Sequence, residues 1–220
     1  MFRRLAFWKT KGLNPTVIYD IGANEGSWTR DMKKVFPTAR YEEFEANTQH
    51  KRPGLHIALL TDVEKEATFY KLPGTAGNTG ASMYLETSDY YRHGNYIEEK
   101  LPGIPLDTYV RQHNLPPPDF VKLDVQGAEL EILRGAERLL TNVKYAVLES
   151  CIHQWNKDAP RTDEVVAFMA ERGFEILDFI DHQYVGGYLL YVDILFAKRT
   201  ENLRCMSFYG NSVGTVSEWE

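Results

Sequence analysis

Apolar runs that predict strands alternate with amphipathic segments that predict helices along most of the chain. Strands are predicted at residues 16–22, 39–45, 56–60, 67–72, 119–125 and 143–149, and helices at residues 27–36, 128–140 and 163–172. Thr162 is the expected N-cap of the last helix. Two further strands, 174–181 and 188–197, are joined by a short loop, which predicts an antiparallel hairpin. This pattern is typical of an α/β fold with a seven-stranded, mostly parallel sheet, helices on both faces and a C-terminal antiparallel hairpin.

The chain is predicted to contain one main domain, residues 15–198, with shorter flanking segments. Residues 1–14 carry four cations and no acid among aromatic and aliphatic side chains, which predicts a short amphipathic helix. That helix could contact a membrane surface, a partner chain or its own domain, and we favour the last. Residues 73–105 are rich in Gly, Tyr, Asn and Thr and have little periodicity, so we interpret them as a substrate lid or insertion. Residues 199–220 are a polar tail that we expect to be frayed.

Composition narrows the possible partners and compartments. The formal net charge of −6 over 220 residues gives no electrostatic footprint for nucleic acid. Cys151 and Cys205 are the only cysteines, so we predict no disulfide framework and a cytoplasmic location. The first residues lack the apolar core of a secretory signal, and the longest apolar stretch, 188–197, is too short to span a bilayer. The sequence leaves open whether the chain forms a homodimer.

The most informative motif is the turn Asp-Ile-Gly-Ala-Asn-Glu-Gly at residues 20–26, between a predicted strand and a predicted helix. Its glycines allow a sharp bend and a close approach to a ligand, and the helix directs free N–H groups at the same point. Asp20 and Glu25 would repel a pyrophosphate and favour a positively charged cofactor such as S-adenosylmethionine (SAM). The turn residues expected to contact it are Asp20, Gly22, Ala23, Asn24 and Gly26.

A second acid supports the same interpretation. Glu45 closes the second predicted strand, nineteen positions after Gly26, and is followed by Ala46. An acid at about this spacing accepts hydrogen bonds from ribose hydroxyls in nucleotide-binding α/β units. Glu45 and Ala46 are therefore predicted to bind the cofactor.

Three blocks of the sequence resemble one known family. Asp20–Gly26 resembles the cofactor turn of class I SAM-dependent methyltransferases (Rossmann-like fold). Asp-Phe-Val-Lys-Leu-Asp-Val-Gln-Gly-Ala-Glu from residue 119, with Leu-Arg-Gly-Ala-Glu from residue 133, resembles the second hallmark of the FkbM family. Glu149, with His-Gln-Trp-Asn-Lys-Asp-Ala-Pro from residue 153, is similar to that family's third block. The resemblance covers residues 15–198 and implies methyl transfer to oxygen, often a sugar hydroxyl in glycan, polysaccharide or natural-product assembly. Gln126 departs from the Glu found in many members.

The candidates for catalysis follow the fourth and fifth predicted strands, where open α/β sheets place their sites. Asp124 and Lys122 lie two residues apart and project from one face, and Glu149 ends the next strand. Asp124 and Glu149 could share a Mg²⁺ ion that activates the acceptor oxygen. Alternatively His153, in the following loop, is the general base, which we favour slightly. Lys122 could instead neutralise neighbouring acids, and Asp124 could orient the methionine part of the cofactor.

The acceptor is expected to be a small molecule, sugar or glycan bound by the segment 73–105. Its candidate hydrogen-bonding residues are Asn78, Thr79 and Ser82, and its candidate stacking residues are Tyr84, Tyr90, Tyr91, His93 and the more distant Trp155. These aromatic side chains could also pack the lid onto the core.

Two other functions compete with methyl transfer. An NAD-dependent sugar oxidoreductase would need a Gly-x-Gly-x-x-Gly turn, which the chain lacks. A non-catalytic module that binds SAM or a partner is disfavoured because the chain carries all four acids, Asp20, Glu45, Asp124 and Glu149. A nucleic-acid methyltransferase is disfavoured by the acidic charge and by the absence of an Asn-Pro-Pro-Tyr-like motif.

Overall fold

The structure, a computed structural model, describes residues 1–73, 79–201 and 203. Its strands are β1 (Val17–Ile21), β2 (Arg40–Glu45), β3 (Leu55–Ile57), β4 (Leu59–Leu60), β5 (Lys65–Lys71), β6 (Ile97–Ile104), β7 (Phe120–Leu123), β8 (Tyr145–Cys151), β9 (Phe174–Val185) and β10 (Tyr188–Lys198). Its helices are α1 (Phe2–Thr10), α2 (Ser27–Val35), α3 (Asp89–Arg92), α4 (Leu106–Gln112), α5 (Glu129–Arg134) and α6 (Thr162–Glu171).

The main sheet has seven strands in the order β3-β2-β1-β7-β8-β10-β9. The first five are parallel, β10 is antiparallel to β8, and β9 pairs with β10 as a long antiparallel hairpin. This confirms the predicted class I methyltransferase architecture, with a seven-stranded, mostly parallel sheet and a C-terminal hairpin. The strand order reverses between β1 and β7, and ligands of open α/β sheets bind beyond such a switch point.

Alternation along the central strands builds a separate core on each face of the sheet. On one face Ile18 and Phe120 pack with Leu5 of α1 and Met32 of α2. On the other face the alternate strand residues pack with α4, α5 and α6. Helices therefore cover both faces, as predicted.

Several predicted elements differ from the structure. The predicted strand 56–60 is two strands: β3 joins the main sheet, and β4 joins a separate three-stranded sheet in the order β4-β6-β5. Strand β6 and helix α4 were not predicted, because 73–105 shows little alternation and Ile97–Ile104 exposes several of its residues. The predicted helix 128–140 is the shorter α5 followed by a 3₁₀ turn at Leu139–Thr141.

Two local predictions need correction. Arg161, not Thr162, is the residue before α6, and the Thr162 hydroxyl donates to the carbonyl of Cys151 at 2.8 Å. Glu149 does not end its strand, because β8 continues to Cys151 through its pairing with β10.

Helix α1 packs on its own domain. Leu5 and Trp8 are buried, and Arg4 Nε and Trp8 Nε1 each donate to Asp178 Oδ2 of β9 at 2.7 Å. This contact accounts for the mixed basic and aromatic composition of residues 1–14. Helices in the described ranges are too short or too polar to cross a bilayer. Most of the predicted tail lies outside the described residues.

Candidate functional site

A cavity of about 480 Å³ opens at the carboxyl ends of the central parallel strands. Its floor is formed by the β1–α2 turn, the end of β2, the residues after β7, and β8. Its rim is formed by residues 79–83 and by the β9–β10 hairpin, through Gln183, Val185, Leu190 and Tyr191. The cavity therefore lies at the switch point of the sheet, between a fixed turn and a hairpin.

The β1–α2 turn is held against the neighbouring strands. The N–H groups of Gly22 and Ala23 both donate to the carbonyl of Phe44, at 3.0 and 2.9 Å. Gly22 has φ +78°, and a Cβ there would overlap the carbonyl oxygen of Asp124 and lie 2.9 Å from its carbonyl carbon. Gly22, Ala23 and Asn24 line the cavity. Gly26, predicted as a cofactor contact, instead starts α2 with φ +73° and is not part of the lining.

Glu45 closes the turn from the second strand. Its Oε2 accepts the N–H of Asn24 and its Oε1 accepts the N–H of Asn47, each at 2.8 Å. Each carboxylate oxygen keeps a further lone pair for a ligand hydroxyl. Glu45 and Ala46 line the cavity beside the apolar side chains of Ile21, Phe44 and Leu60.

Asp20 and Lys122 form a buried ion pair beneath the turn. Lys122 Nζ lies 3.3 Å from Asp20 Oδ1, from Asp124 Oδ2 and from the carbonyl of Gly22. Thr29 Oγ1 donates to Asp20 Oδ2 at 2.7 Å. Burial opposes the charge of Lys122, but Asp124 and Asp20 hold its pKa above its usual value. Asp20 is absent from the lining, and its predicted contact with the cofactor stays a prediction. Lys122 lines the cavity but is paired with both acids and is not a free amine.

Replacing Lys122 by Met should lower the free energy of unfolding by about 3–5 kcal/mol, because it leaves the buried Asp20 without its cation. The measurement is urea denaturation of wild type and variant. Lys34→Met is the matched control, since Lys34 pairs with Asp31 on the surface and should change stability by less than about 0.5 kcal/mol. A Lys122→Met protein as stable as the control would show that the buried pair contributes nothing.

Asp124, Gln126 and Glu149 form one hydrogen-bonded cluster in the cavity. Gln126 Nε2 donates to Asp124 Oδ1 at 3.1 Å and to Glu149 Oε2 at 2.5 Å. Gln126 reaches them from a left-handed backbone conformation, φ +54°. Gly127 follows it with φ +100°, where a Cβ would meet Ala159 Cβ at 2.6 Å. The tight β7–α5 loop therefore aims the Gln126 amide at both carboxyl groups.

The two carboxyl groups of this cluster have opposite pKa shifts. Burial favours the neutral acid in both, but Lys122 lowers the pKa of Asp124. Burial and the charge of Asp124 raise the pKa of Glu149 well above its usual value. Asp124 is therefore the more acidic of the two groups, and Glu149 keeps its proton to a higher pH and can donate it in a hydrogen bond to Asp124.

Asp193 extends the row of acids across the sheet. It lies opposite Glu149 of β8 and opposite Asp181 of β9 in the strand register. Burial, together with the charges of Asp124 and Asp181, raises the pKa of Asp193 to about 7. Asp193 does not line the cavity, so it acts on the site only through the charges of its neighbours.

The raised pKa of Asp193 predicts a pH dependence of stability. The folded state holds the proton of Asp193 up to about pH 7, whereas the unfolded state releases it near pH 4. This contribution to stability is complete below about pH 4 and is lost as the pH rises to about 7, by roughly 2–4 kcal/mol. Asp193→Asn should therefore gain stability relative to wild type between pH 4 and 7.5, measured by denaturation at each pH. A constant difference between the two proteins across this range would contradict the prediction, and Asp163→Asn, at the exposed start of α6, is the control.

The structure brings only part of the predicted acceptor set to the cavity. Thr79, Ser82 and Trp155 line it, although the Ser82 hydroxyl already donates to the carbonyls of Val125 and Gln126, at 3.0 and 2.9 Å. Asn78 lies outside the described residues.

The side chain of Tyr90 lies outside what the structure describes. The other predicted side chains point elsewhere. The Tyr84 hydroxyl donates to Glu131 Oε2 at 3.2 Å, and Tyr91 is buried with its hydroxyl on the carbonyl of Gly80 at 3.1 Å. His93 is exposed outside the lining. His153, the preferred base at the sequence level, is also exposed outside the lining and packs edge-on against Tyr188. The predicted base His153 is therefore not among the residues that line the cavity.

The cavity is a poor fit for the predicted Mg²⁺ ion. Within the described ranges, no group of three or more His, Cys, Asp and Glu side chains could hold a metal. Asp124 already faces an ammonium at 3.3 Å, and Glu149, whose pKa is raised well above its usual value, accepts a hydrogen bond from the Gln126 amide. A divalent cation prefers several ionised oxygen ligands, which this pair does not supply.

Three residues of the site escaped the sequence analysis. Gln126 belongs to the block from residue 119 that resembles the FkbM family, but no role was predicted for it. Its place in the sequence between Asp124 and Glu129 could have indicated one. Tyr191 and Glu86 line the cavity from the hairpin and from the segment after Ser82. No local pattern marks either of them, because tertiary packing brings them to the cavity.

Comparison with known proteins places this architecture among methyltransferases. A family model described as "Methyltransferase FkbM domain" matches residues 20–176. The AMB antimetabolite synthetase AmbE of Pseudomonas aeruginosa is 26% identical over 201 residues, covering 73% of this chain and 10% of AmbE. The chain thus spans about a tenth of the length of that curated relative. Among solved structures, the methyltransferase FkbM from Methylobacillus flagellatus KT gives a TM-score of 0.45 at 14% identity, covering 84% of this chain and 43% of that one. The N-terminal domain of EvdMO1, in the presence of SAH and D-fucose, gives 0.46 at 12% identity, covering 90% and 82%.

Proposed function

The chain belongs to the FkbM methyltransferase family and is a SAM-dependent methyltransferase, and from this premise we propose that it methylates a hydroxyl oxygen of a sugar, glycan or natural-product acceptor. The observation that carries the proposal is the hydrogen-bonded Asp124–Gln126–Glu149 cluster inside the cavity, in which the pKa of Asp124 is lowered and that of Glu149 is raised. An alcohol is a weak nucleophile, so a positioned proton acceptor is what O-methylation requires.

The other end of the cavity fits the cofactor. Gly22 and Asn24 lie in the close turn, and Glu45 has lone pairs for ribose hydroxyls beside the apolar side chains of Phe44 and Leu60. The acids Glu45, Glu86, Asp124 and Glu149 line the same space, and its one lining cation in the described part of the chain, Lys122, is already paired with Asp20 and Asp124. This charge distribution suits a sulfonium and an ammonium and opposes the pyrophosphate of NAD.

The reaction divides into methyl transfer and proton removal. SAM, when bound, supplies a methyl group that leaves sulfur as it bonds to the acceptor oxygen. Asp124 accepts the hydrogen bond of the acceptor hydroxyl and receives its proton as the oxygen loses it. Glu149 stabilises the Asp124 carboxylate through a hydrogen bond, and Gln126 holds both groups in place. Alignment of the acceptor oxygen with the methyl group and the sulfur can lower the activation barrier by up to roughly 7–11 kcal/mol in favourable cases.

In this proposal Asp124 takes the place of the two means of activation predicted from the sequence, the base His153 and a Mg²⁺ ion. His153 is outside the cavity, and the donor set disfavours Mg²⁺. We therefore expect turnover to be unchanged, within about twofold, when EDTA replaces Mg²⁺ in the assay. A large loss of activity in EDTA that Mg²⁺ restores would support metal activation instead.

A natural-product acceptor has one further support. The relative AmbE is a synthetase of an antimetabolite, and the aligned region covers 73% of this chain. Acceptors for screening therefore include small hydroxylated metabolites as well as sugars.

Product analysis tests the proposal. The protein is incubated with SAM carrying a deuterated methyl group and with panels of hydroxyl-bearing acceptors, and the label is located by mass spectrometry and NMR. Label on oxygen supports the proposal, and label on nitrogen or carbon would refute O-methylation. SAM binding without transfer to any acceptor would favour the non-catalytic module.

A further inference from the structure

Glu86 is a fixed carboxylate at the acceptor end of the cavity. Its segment is clamped to the loop after β8: Lys157 N–H donates to the Leu85 carbonyl at 2.8 Å, and Thr87 N–H donates to the Trp155 carbonyl at 2.9 Å. Glu86 itself forms a β-bridge with Asn156. These contacts hold Glu86 and the aromatic Trp155 beside each other on the cavity wall.

The carboxylate of Glu86 is partly buried and has no neutralising partner in the described part of the chain. No hydrogen bond or ion pair to its side chain occurs among these residues, although Glu86 also lines a second cavity that contains Lys157. Its Oε2 lies over Gly80, where a Cβ would overlap it, so the absence of a side chain at residue 80 leaves room for the carboxylate. Burial raises the pKa of Tyr191, and the charge of Glu86 adds to that effect across the cavity.

The other acids of the lining already have partners. Glu45 accepts two backbone N–H groups, Asp124 faces Lys122, and Glu149 accepts from Gln126. Among the acids of the lining, Glu86 is thus the one whose side chain has no hydrogen bond or ion pair within the described residues. A carboxylate and an aromatic side chain that line the same cavity both favour an alkylammonium group, through charge-assisted hydrogen bonding and cation–π attraction.

We propose that the acceptor carries, besides the hydroxyl that is methylated, a protonated amine that Glu86 binds beside Trp155. This inference rests on the proposed function and specifies its substrate class as amino sugars or other hydroxylated amines. The negative charge of Glu86 would repel acceptors that carry a phosphate or carboxylate group in place of the amine.

The test compares acceptors that differ only in the amine. D-glucosamine, N-acetyl-D-glucosamine and D-glucose are assayed for SAH formation with the full chain, and their binding to the SAH-saturated protein is measured by calorimetry. Wild type, Glu86→Gln and Glu64→Gln are compared, and Glu64 is a matched control because it is exposed outside the cavity. We expect wild type and Glu64→Gln to prefer glucosamine over its N-acetyl form by about tenfold in kcat/KM or in Kd, and Glu86→Gln to reduce this preference to within about twofold. The Kd of SAM should stay within about twofold in all three proteins.

Three results would overturn the inference: equal or better use of the neutral acceptors by wild type, an amine preference that survives in Glu86→Gln, or absence of glucosamine binding to the SAH-saturated protein. A Glu86→Gln protein that weakens SAM binding alone would assign Glu86 to the cofactor instead. Failure of the proposed function itself is recognised separately, because methyl label would then appear on nitrogen or on no acceptor at all.

Discussion

We expect Asp124→Asn to reduce kcat for methyl transfer by about 10²–10⁴-fold, the usual contribution of a positioned general base. The amide keeps the size of the side chain but cannot receive the hydroxyl proton. Lys122 keeps its contact with Asp20, so the variant should still fold. The measurement is the steady-state rate of SAH formation at saturating SAM, with an acceptor identified by product analysis.

The control for this experiment is Asp163→Asn, an exposed acid at the start of α6 that should keep wild-type activity. The Kd of SAM, measured by calorimetry, separates loss of chemistry from loss of cofactor binding. An Asp124→Asn enzyme within about tenfold of wild-type kcat would show that another group removes the proton.

Gly22→Ala should cause a large loss of stability. Its φ of +78° strains any side chain, and the new Cβ would overlap the backbone of Asp124. Backbone strain of about 1–3 kcal/mol and overpacking of about 1–3 kcal/mol predict a loss of roughly 2–6 kcal/mol in the free energy of unfolding. SAM binding should also fall below detection, because the turn must move away from the end of β7.

Gly54→Ala separates the two causes. Gly54 has a similar φ of +81°, but a Cβ there would have nothing within 4 Å. Urea denaturation should therefore show a loss of about 1–3 kcal/mol for Gly54→Ala and a distinctly larger one for Gly22→Ala. Equal losses would mean that the close approach of the turn to Asp124 is not what requires glycine at residue 22.

The sequence predicted the main sheet well because its strands are buried on both faces and read as short apolar runs. The two glycines of the turn and Glu45 could be predicted from short sequence motifs. In the structure, Gly22 and Glu45 line the same cavity. Strand β6 and helix α4 were missed because their stability comes from pairing with β4 and β5 and from packing on the core, not from a local period.

The site was harder to predict than the fold. Lys122 was predicted to be catalytic and Asp20 to bind the cofactor, but their pairing beneath the turn depends on the register of β1 and β7. His153 stood close to the right block, yet the loop turns it out to solvent beside Tyr188. Gln126 contacts Asp124 and Glu149 because its backbone is left-handed, and the residue type alone does not predict that conformation.

The most direct test of the site is a crystal structure of the protein with S-adenosylhomocysteine bound. We expect the ribose hydroxyls within about 3.2 Å of the Glu45 carboxylate and the sulfur directed toward the part of the cavity lined by Asp124 and Glu149. A ribose bound away from Glu45, or a sulfur directed away from Asp124, would contradict the assignment of cofactor and acceptor ends and with it the proposed role of Asp124.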